Sequence, residues 1–225
     1  MPGMESTLVP LDPVSLKKRF KELQVETKSV YQNWQIRVHR SLSWYKRSCD
    51  LPEDQPDLKF ILLWVAFNAL YARWDVGKNA PAQDSASRKV FIEKLAELCW
   101  QNTSALLVAN KSLLKKLLGD PYLSNIFWRD PKHPKAKSWA TEDLFHLDRN
   151  LKENHHGRVL LQVTDRMYVL RGQLMHGAAT GGGKLNRSSL TNCLAMLNAL
   201  LPQMIYWVIE YRCDNDWPEM CYPPS

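Results

Sequence analysis

Long segments without glycine or proline, separated by short segments that contain them, are the feature that most constrains the fold of this chain. The first begins at Asp12-Pro13, a typical helix start, because Asp accepts free amide hydrogens and Pro fits the first turn. It continues to about Arg47, with apolar residues mostly three or four positions apart, namely Leu16, Phe20, Leu23, Val30, Trp34 and Val38. Side chains at that spacing share one face of a helix, so the segment predicts a long N-terminal helix.

The positions of glycine and proline along the rest of the chain predict a succession of helices joined by short loops. Asp84 is expected to be the N-cap of one helix, and Pro202 is expected to bend the last. Few stretches alternate as strands do, and no internal repeat is present. We therefore expect an all-α fold, a single-domain antiparallel bundle of about six to seven helices over 13–213, with an N-terminal extension (1–12) and a C-terminal tail (214–225). The later helices are predicted at about 58–74, 84–101, 103–118, 141–152, 156–176 and 186–213.

Composition excludes several classes of protein. Hydrophobic residues make up 45% and charged residues 24%, which is typical of a globular domain and not of a largely disordered chain. The longest apolar run, 60–70, is interrupted by Asn68. It is shorter than the roughly 20 residues that span a bilayer. No signal peptide is recognisable. Five cysteines without a Cys-x-x-Cys pair favour reduced thiols, so we expect a cytoplasmic protein without a membrane partner.

The net charge of +7 fits an anionic partner such as RNA, and it also fits an ordinary basic protein. Residues 121–138, here called the basic excursion, combine three prolines with four cations. This segment is predicted to be exposed and irregular, and it is either an RNA-contacting element or a solvated loop. The candidate RNA-binding residues are Arg129, Lys132, Lys135 and Lys137.

The candidate for chemistry is the pair Arg171 and His176, because no nucleophile elbow, complete phosphate loop or metal-binding motif is present. On a helix, Arg171 lies about 60° from the centre of the apolar stripe, and His176 lies nearly opposite it. Both side chains are therefore expected off the core. They are also about 140° apart, so a shared site requires the helix to end at His176 or a second pair from a partner chain. The stripe consists of Leu160, Val163, Met167, Leu170 and Leu174.

Two further features of the sequence are candidates for a functional site. Arg149-Asn150 is followed by His155 and His156, an alternative pair that lies in a polar stretch before the long helix. Asn68 sits in a strongly apolar helix, where a buried amide is costly unless it is hydrogen-bonded. Its partner is either a neighbouring backbone group or the Arg171 and His176 site, which it would orient.

The residues around this pair resemble a known signature. The run at 167–177, Met-Tyr-Val-Leu-Arg-Gly-Gln-Leu-Met-His-Gly, precedes a glycine-rich loop and a leucine-rich helix, and it resembles the signature of the HEPN superfamily, most of all the Apea-like branch. The run at 62–71, Leu-Leu-Trp-Val-Ala-Phe-Asn-Ala-Leu-Tyr, resembles the helix that precedes the motif in that branch. Both matches leave out the N-terminal helix and the basic excursion.

The resemblance implies a helical bundle that dimerises, with Arg171 and His176 of both chains in one cleft. Many members are endoribonucleases that need no metal and no cofactor. His176 would take the proton of the ribose 2′-hydroxyl, and Arg171 would stabilise the pentavalent phosphate. Such a protein would be a toxin or an antiphage defence component, with an antitoxin or another defence-system protein as partner.

Gly172 departs from the family pattern, which commonly has a polar residue, often Asn, directly after the arginine. This departure supports an alternative, a catalytically inactive HEPN-like module that binds RNA or a nucleotide or holds a partner protein. A helical interaction protein without any nucleic-acid ligand is a third reading.

Overall fold

The computed structural model describes residues 11–26, 32–178, 182–183, 186–211, 220 and 222. The described residues are mostly helical, which confirms the all-α class. A 3-10 helix (Pro121–Leu123) and one antiparallel pair of two-residue strands, β1 (Trp74–Asp75) and β2 (Ala80–Pro81), complete the regular structure there. The helices are α1 (Pro13–Glu26), α2 (Gln32–Cys49), α3 (Pro56–Tyr71), α4 (Asp84–Leu98), α5 (Trp100–Ala109), α6 (Lys111–Leu118), α7 (Asn125–Arg129), α8 (Ala136–Ala140), α9 (Glu142–Lys152), α10 (His156–Met175) and α11 (Arg187–Glu210).

The first predicted helix is two helices. Asp12 caps α1 as expected, since its Oδ1 accepts the N–H groups of Val14 at 2.8 Å and Ser15 at 3.0 Å. The rings of Phe20 and Trp34, however, lie 5.3 Å apart, whereas a continuous helix would separate these positions by about 21 Å. The prediction was wrong because both helices bury a stripe of the same spacing, and no glycine or proline marks the break between them.

Two other boundaries differ for physical reasons. The predicted helix at 103–118 is divided at Asn110, whose Nδ2 donates to the Leu106 carbonyl at 2.9 Å. Asp84 is not an N-cap but the first residue of α4, and its Oδ1 accepts the Tyr71 hydroxyl at 2.8 Å. The carboxylate of Asp84 thus binds a distant tyrosine instead of capping the helix, the role that its position in the sequence suggests.

One hydrophobic core joins the described helices. It extends from Leu16 in α1 to Ile209 in α11, with α3 packed between α2 and α11. α10 packs on α4, α6, α9 and α11. Phe127, Ala136 and Ala140 form a separate small cluster beneath the basic excursion, so that segment has its own apolar support.

α11 is long and apolar enough to cross a membrane by length and composition, with a mean hydropathy of 1.3. An uninterrupted apolar run was too strict a criterion to find it. Of the 18-residue apolar segment of α11 with this hydropathy, 67% is buried against other helices. Pro202 is among the buried residues of α11. The core helix of a soluble protein has the same properties.

The chain ends lie mostly outside the described residues, as do Cys213 and Cys221. Met220 is an exception within the predicted tail, because it is 2% exposed and forms an isolated β-bridge with Arg73. Cys49 and Cys193 are free thiols.

Candidate functional site

α10 ends at the position that a site would need. Gly177 adopts a positive φ of +70°, which glycine tolerates and other residues rarely adopt. The N–H of Gly177 donates to the Leu174 carbonyl at 3.3 Å, and the N–H of Ala178 donates to the Gln173 carbonyl at 2.8 Å. This pair of bonds is a Schellman motif with His176 as C-cap. α10 therefore ends at Met175, and His176 is the first residue after it.

Arg171 and His176 lie at the surface end of α10. His176 is exposed and Arg171 is half-buried, whereas Met167 and Leu170 of the apolar stripe are at most 1% exposed. Among the residues that the structure describes, none forms a hydrogen bond or an ion pair with either side chain. Both groups are thus available to a ligand or to a second chain.

Gly172 opens into a cavity of about 320 Å³, here called the Gly172 cavity. A β-carbon built on Gly172 would meet no atom within 4 Å. The lining joins three parts of the chain that are distant in sequence. Its residues include Gly172, Gln173 and Ala178 at the end of α10, Asn125 and Trp128 of α7, and Asn186 before α11.

Hydrogen bonds fasten the basic excursion to the motif. The backbone carbonyl of Tyr122 accepts both Gln173 Nε2 and Trp128 Nε1, each at 2.9 Å. Gln173 Oε1 accepts Asn186 Nδ2 at 3.0 Å. Gln173, which lies between Arg171 and His176 in sequence, therefore links the excursion to the start of α11. Sequence reasoning missed Gln173 and Trp128, because the acceptor that they share, the Tyr122 carbonyl, is far from Gln173 along the chain.

The basic excursion is folded rather than irregular, which corrects the expectation from its prolines. It contains the 3-10 helix, α7 and most of α8. All four candidate cations, Arg129, Lys132, Lys135 and Lys137, are exposed.

Exposed aromatic rings lie among these cations. Tyr122 is 40%, Trp128 48% and Trp139 45% exposed. Lys137 Nζ lies 5.8 Å from the Tyr122 ring centroid, and the His133 ring stacks on Trp139 at 4.3 Å. The surface therefore combines positive charge with aromatic side chains.

Asn68 is half-buried, so the expectation of a fully buried amide was wrong. Its backbone carbonyl accepts the N–H of Ala72 at 2.8 Å. Within the described part of the chain, its side chain has no hydrogen bond to Arg171, His176 or any other residue. α3 is apolar on nearly all sides, and that pattern cannot indicate which side reaches the surface.

The alternative pair is divided between surface and interior. Arg149 is exposed, and its Nη2 lies 3.4 Å from His146 Nδ1. Asn150 is 0% and His156 3% exposed. Burial, and to a smaller extent neighbouring His155, lowers the pKa of His156 below its ordinary value. Asn150 and His156 therefore lie in the buried turn into α10, whereas Arg149 and His155 are both exposed.

A second cavity, of about 440 Å³, adjoins the Gly172 cavity and shares Asn125, Tyr168 and Val169 with it. Two arginines in its lining are buried, Arg88 at 2% and Arg166 at 4% exposure. Sequence reasoning did not find them, because an arginine on a helix is ordinarily exposed and its buried partners lie on other elements.

Both arginines are held by groups of the protein. Arg88 donates to the Thr164 carbonyl at 2.8 Å and to Asp165 Oδ1 at 2.7 Å. Arg166 donates to the Ala140 carbonyl at 2.7 Å and to Asp143 Oδ2 at 3.1 Å. Burial raises the pKa of Asp165 and lowers that of Arg166. These bonds fasten α10 to α4 and to the end of α8.

Within the described residues, no group of three or more His, Cys, Asp or Glu side chains is arranged to hold a metal ion. No protein-family model, curated protein or solved structure matches this chain. The site is therefore assigned from its own residues.

Proposed function

We propose that this protein is a metal-independent endoribonuclease of the HEPN type, acting in the cytoplasm as a toxin or an antiphage defence component. Arg171 and His176 are its catalytic residues. The observation that carries the proposal is that both side chains lie without partners among the described residues, at a helix end that Gly177 terminates and the basic excursion adjoins.

In the proposed reaction, His176 accepts the proton of the ribose 2′-hydroxyl. The 2′-oxygen attacks the adjacent phosphorus, and the bond from phosphorus to the 5′-oxygen of the next nucleotide breaks. A second histidine or a water protonates that oxygen. Imidazole suits this transfer near neutrality, and the planar guanidinium of Arg171 can donate two parallel hydrogen bonds to phosphate oxygens. The products are a 2′,3′-cyclic phosphate end and a 5′-hydroxyl end.

Two chains are proposed to complete the site, because the resemblance of the motif to the HEPN signature implies a dimer with Arg171 and His176 of both chains in one cleft. Much of the middle of α10 is buried within one chain, whereas its last turn is more open. Met175, at 53% exposure, and exposed His176 lie on that turn. A homodimer joined near these residues would bring the partner's arginine and histidine to the same cleft. Asn68 remains a candidate positioning residue.

A binding module without catalysis is the second candidate, and Gly172 favours it. The structure leaves open space where a polar side chain would order the cleft. The same surface could then hold RNA or a nucleotide, or a partner such as an antitoxin, without cutting.

Incubation of the purified protein with mixed cellular RNA in excess chelator tests the proposal. Cleavage that leaves cyclic phosphate ends, and that is lost in His176→Ala, supports the nuclease. Binding without cleavage supports the module. Cleavage that requires an added metal ion contradicts the proposed chemistry.

A further inference from the structure

The Gly172 cavity has the size and the lining of a small-molecule site. Its volume of about 320 Å³ lies at the lower end of the roughly 300–1,000 Å³ that such sites span. Trp128, Tyr168 and Val169 provide apolar surface, and the amides of Asn125 and Asn186 provide polar groups. A flat ring with hydrogen-bonding edges fits this combination.

Trp128 is positioned to stack with such a ring. Its Nε1 donates to the Tyr122 carbonyl, so the indole is fixed while the ring stays 48% exposed. Phe127 packs against it edge-on at 5.0 Å. Nucleic-acid bases stack on rigid, exposed aromatic side chains of this kind whatever their sequence.

The amides can distinguish one base from another. Asn186 uses its Nδ2 for Gln173, and its Oδ1 has no partner among the described residues. The exposed Asn125 side chain has no described hydrogen bond. Carboxamides pair with the donor and acceptor groups on base edges.

The surroundings select nucleic acid over other flat ligands. Arg129 follows Trp128 directly, and the other three cations of the excursion are exposed nearby in sequence. Gly172 itself lies next to Arg171. A base in the cavity would therefore lie against Trp128, which precedes a cation in the chain, and against Gly172, which follows proposed catalytic Arg171.

We propose that the Gly172 cavity is a subsite for one unpaired nucleobase of the RNA, stacked on Trp128 and read by Asn125 and Asn186. The choice of RNA rests on the proposed function. The subsite requires a single-stranded or flipped-out nucleotide, because a paired base presents no free face and edge to a cavity of this size. It also sets which nucleotide lies beside the cleaved bond.

Binding is measured in the His176→Ala background, where RNA stays intact, by fluorescence anisotropy with oligo(A), oligo(C), oligo(G) and oligo(U). Trp128→Ala is compared with Trp139→Ala, because the two rings have nearly equal exposure and only Trp128 lines the cavity. Gly172→Leu, which fills the cavity, is compared with Gly172→Ala, which leaves most of it open. Circular dichroism verifies that each variant is folded.

We expect Trp128→Ala and Gly172→Leu to weaken binding of the preferred oligonucleotide by about tenfold and to reduce the preference among bases. Trp139→Ala should remain within about twofold of the parent, and Gly172→Ala should weaken binding less than Gly172→Leu does. Equal affinity and equal base preference in all variants, or no RNA binding at all, would overturn the subsite. Because His176 is already replaced, these results do not depend on cleavage. Failure of the wild-type protein to cut RNA while Trp128→Ala still weakens binding would remove the nuclease and leave the subsite.

Discussion

The buried part of α10 and its exposed end use polar side chains in opposite ways. In the buried part, Arg166 is 4% exposed and donates to the Ala140 carbonyl and to Asp143. At the end, Arg171 and His176 have no partner among the described residues. One helix thus carries an arginine that holds the fold together and an arginine that no other described residue binds. The contrast predicts that substitutions in the two parts affect different measurements.

The largest expected effect is on catalysis. His176→Ala should reduce the cleavage rate by at least about 100-fold, because it removes the proposed general base. Arg171→Lys should be severely impaired, since an ammonium cannot form two parallel bonds to a phosphate. Both variants should unfold at the wild-type temperature. Arg149→Ala is the matched control and should cleave normally. Loss of activity in Arg149→Ala alone would show that the other pair is the site.

Arg166→Ala should have the opposite profile. Its removal leaves the Ala140 carbonyl without this donor and Asp143 without this counterion, so we expect a loss of about 2–3 kcal/mol in the free energy of unfolding. Urea denaturation measures this loss. Arg158→Ala, at an exposed arginine of the same helix, should change stability by no more than about 0.5 kcal/mol. Equal losses in the two variants would contradict the structural role of Arg166.

The four cations of the basic excursion should contribute through their charge. Replacement of Arg129, Lys132, Lys135 and Lys137 by Gln should weaken RNA binding. The slope of log affinity against log salt should become less steep by up to about 3, near 0.7 for each phosphate contact on single strands. The control replaces four exposed lysines elsewhere and makes the same change in net charge. An unchanged slope in the first variant would show that the excursion is a solvated surface whose cations do not contact phosphates. The control lysines are Lys17, Lys18, Lys21 and Lys116.

A pH-dependent effect should arise at the buried start of α10. Burial lowers the pKa of His156 in the folded state, so the unfolded chain binds the proton first as pH falls. The contribution to stability is constant above about pH 6.5 and is lost as pH falls below it. His156→Gln should therefore reduce the slope of unfolding free energy between pH 7 and pH 5. His155→Gln, at an exposed neighbour, should keep the wild-type slope, and the reverse result would contradict the assignment.

The smallest effect is expected at Gly172. Gly172→Ala should raise stability by about 0.5–1 kcal/mol, because alanine favours the helix and its β-carbon meets no atom within 4 Å. In Gly157→Ala the new β-carbon would lie 3.3 Å from the Ala96 β-carbon, which offsets that gain. Thermal unfolding of the two variants measures the difference. A destabilised Gly172→Ala would mean that the space beside this glycine is occupied in solution.

Sequence alone predicted a mostly helical chain and the exposed position of His176, because both follow from local rules. Three-to-four spacing sets which side of a helix is buried, and the angle from the apolar stripe placed His176 away from it. The break between α1 and α2 could not be predicted, since only tertiary packing shows that Phe20 meets Trp34.

The rest of the candidate site depends on distant contacts. The burial of Arg88 and Arg166 depends on carbonyls and carboxylates from other elements. The proximity of Trp128 to Gly172 depends on how the excursion folds back on α10. No periodicity within one segment contains that information.

The carbonyl of Tyr122 gives the motif and the excursion a common mechanical anchor. Gln173 and Trp128 each attach to this one oxygen, although Gln173 and Tyr122 are 51 positions apart in the chain. Displacement of that peptide group therefore loosens two side chains at once, one next to the catalytic turn and one on the aromatic surface. A ligand that displaced the tryptophan would therefore act on Gln173, at the helix end, through one backbone oxygen.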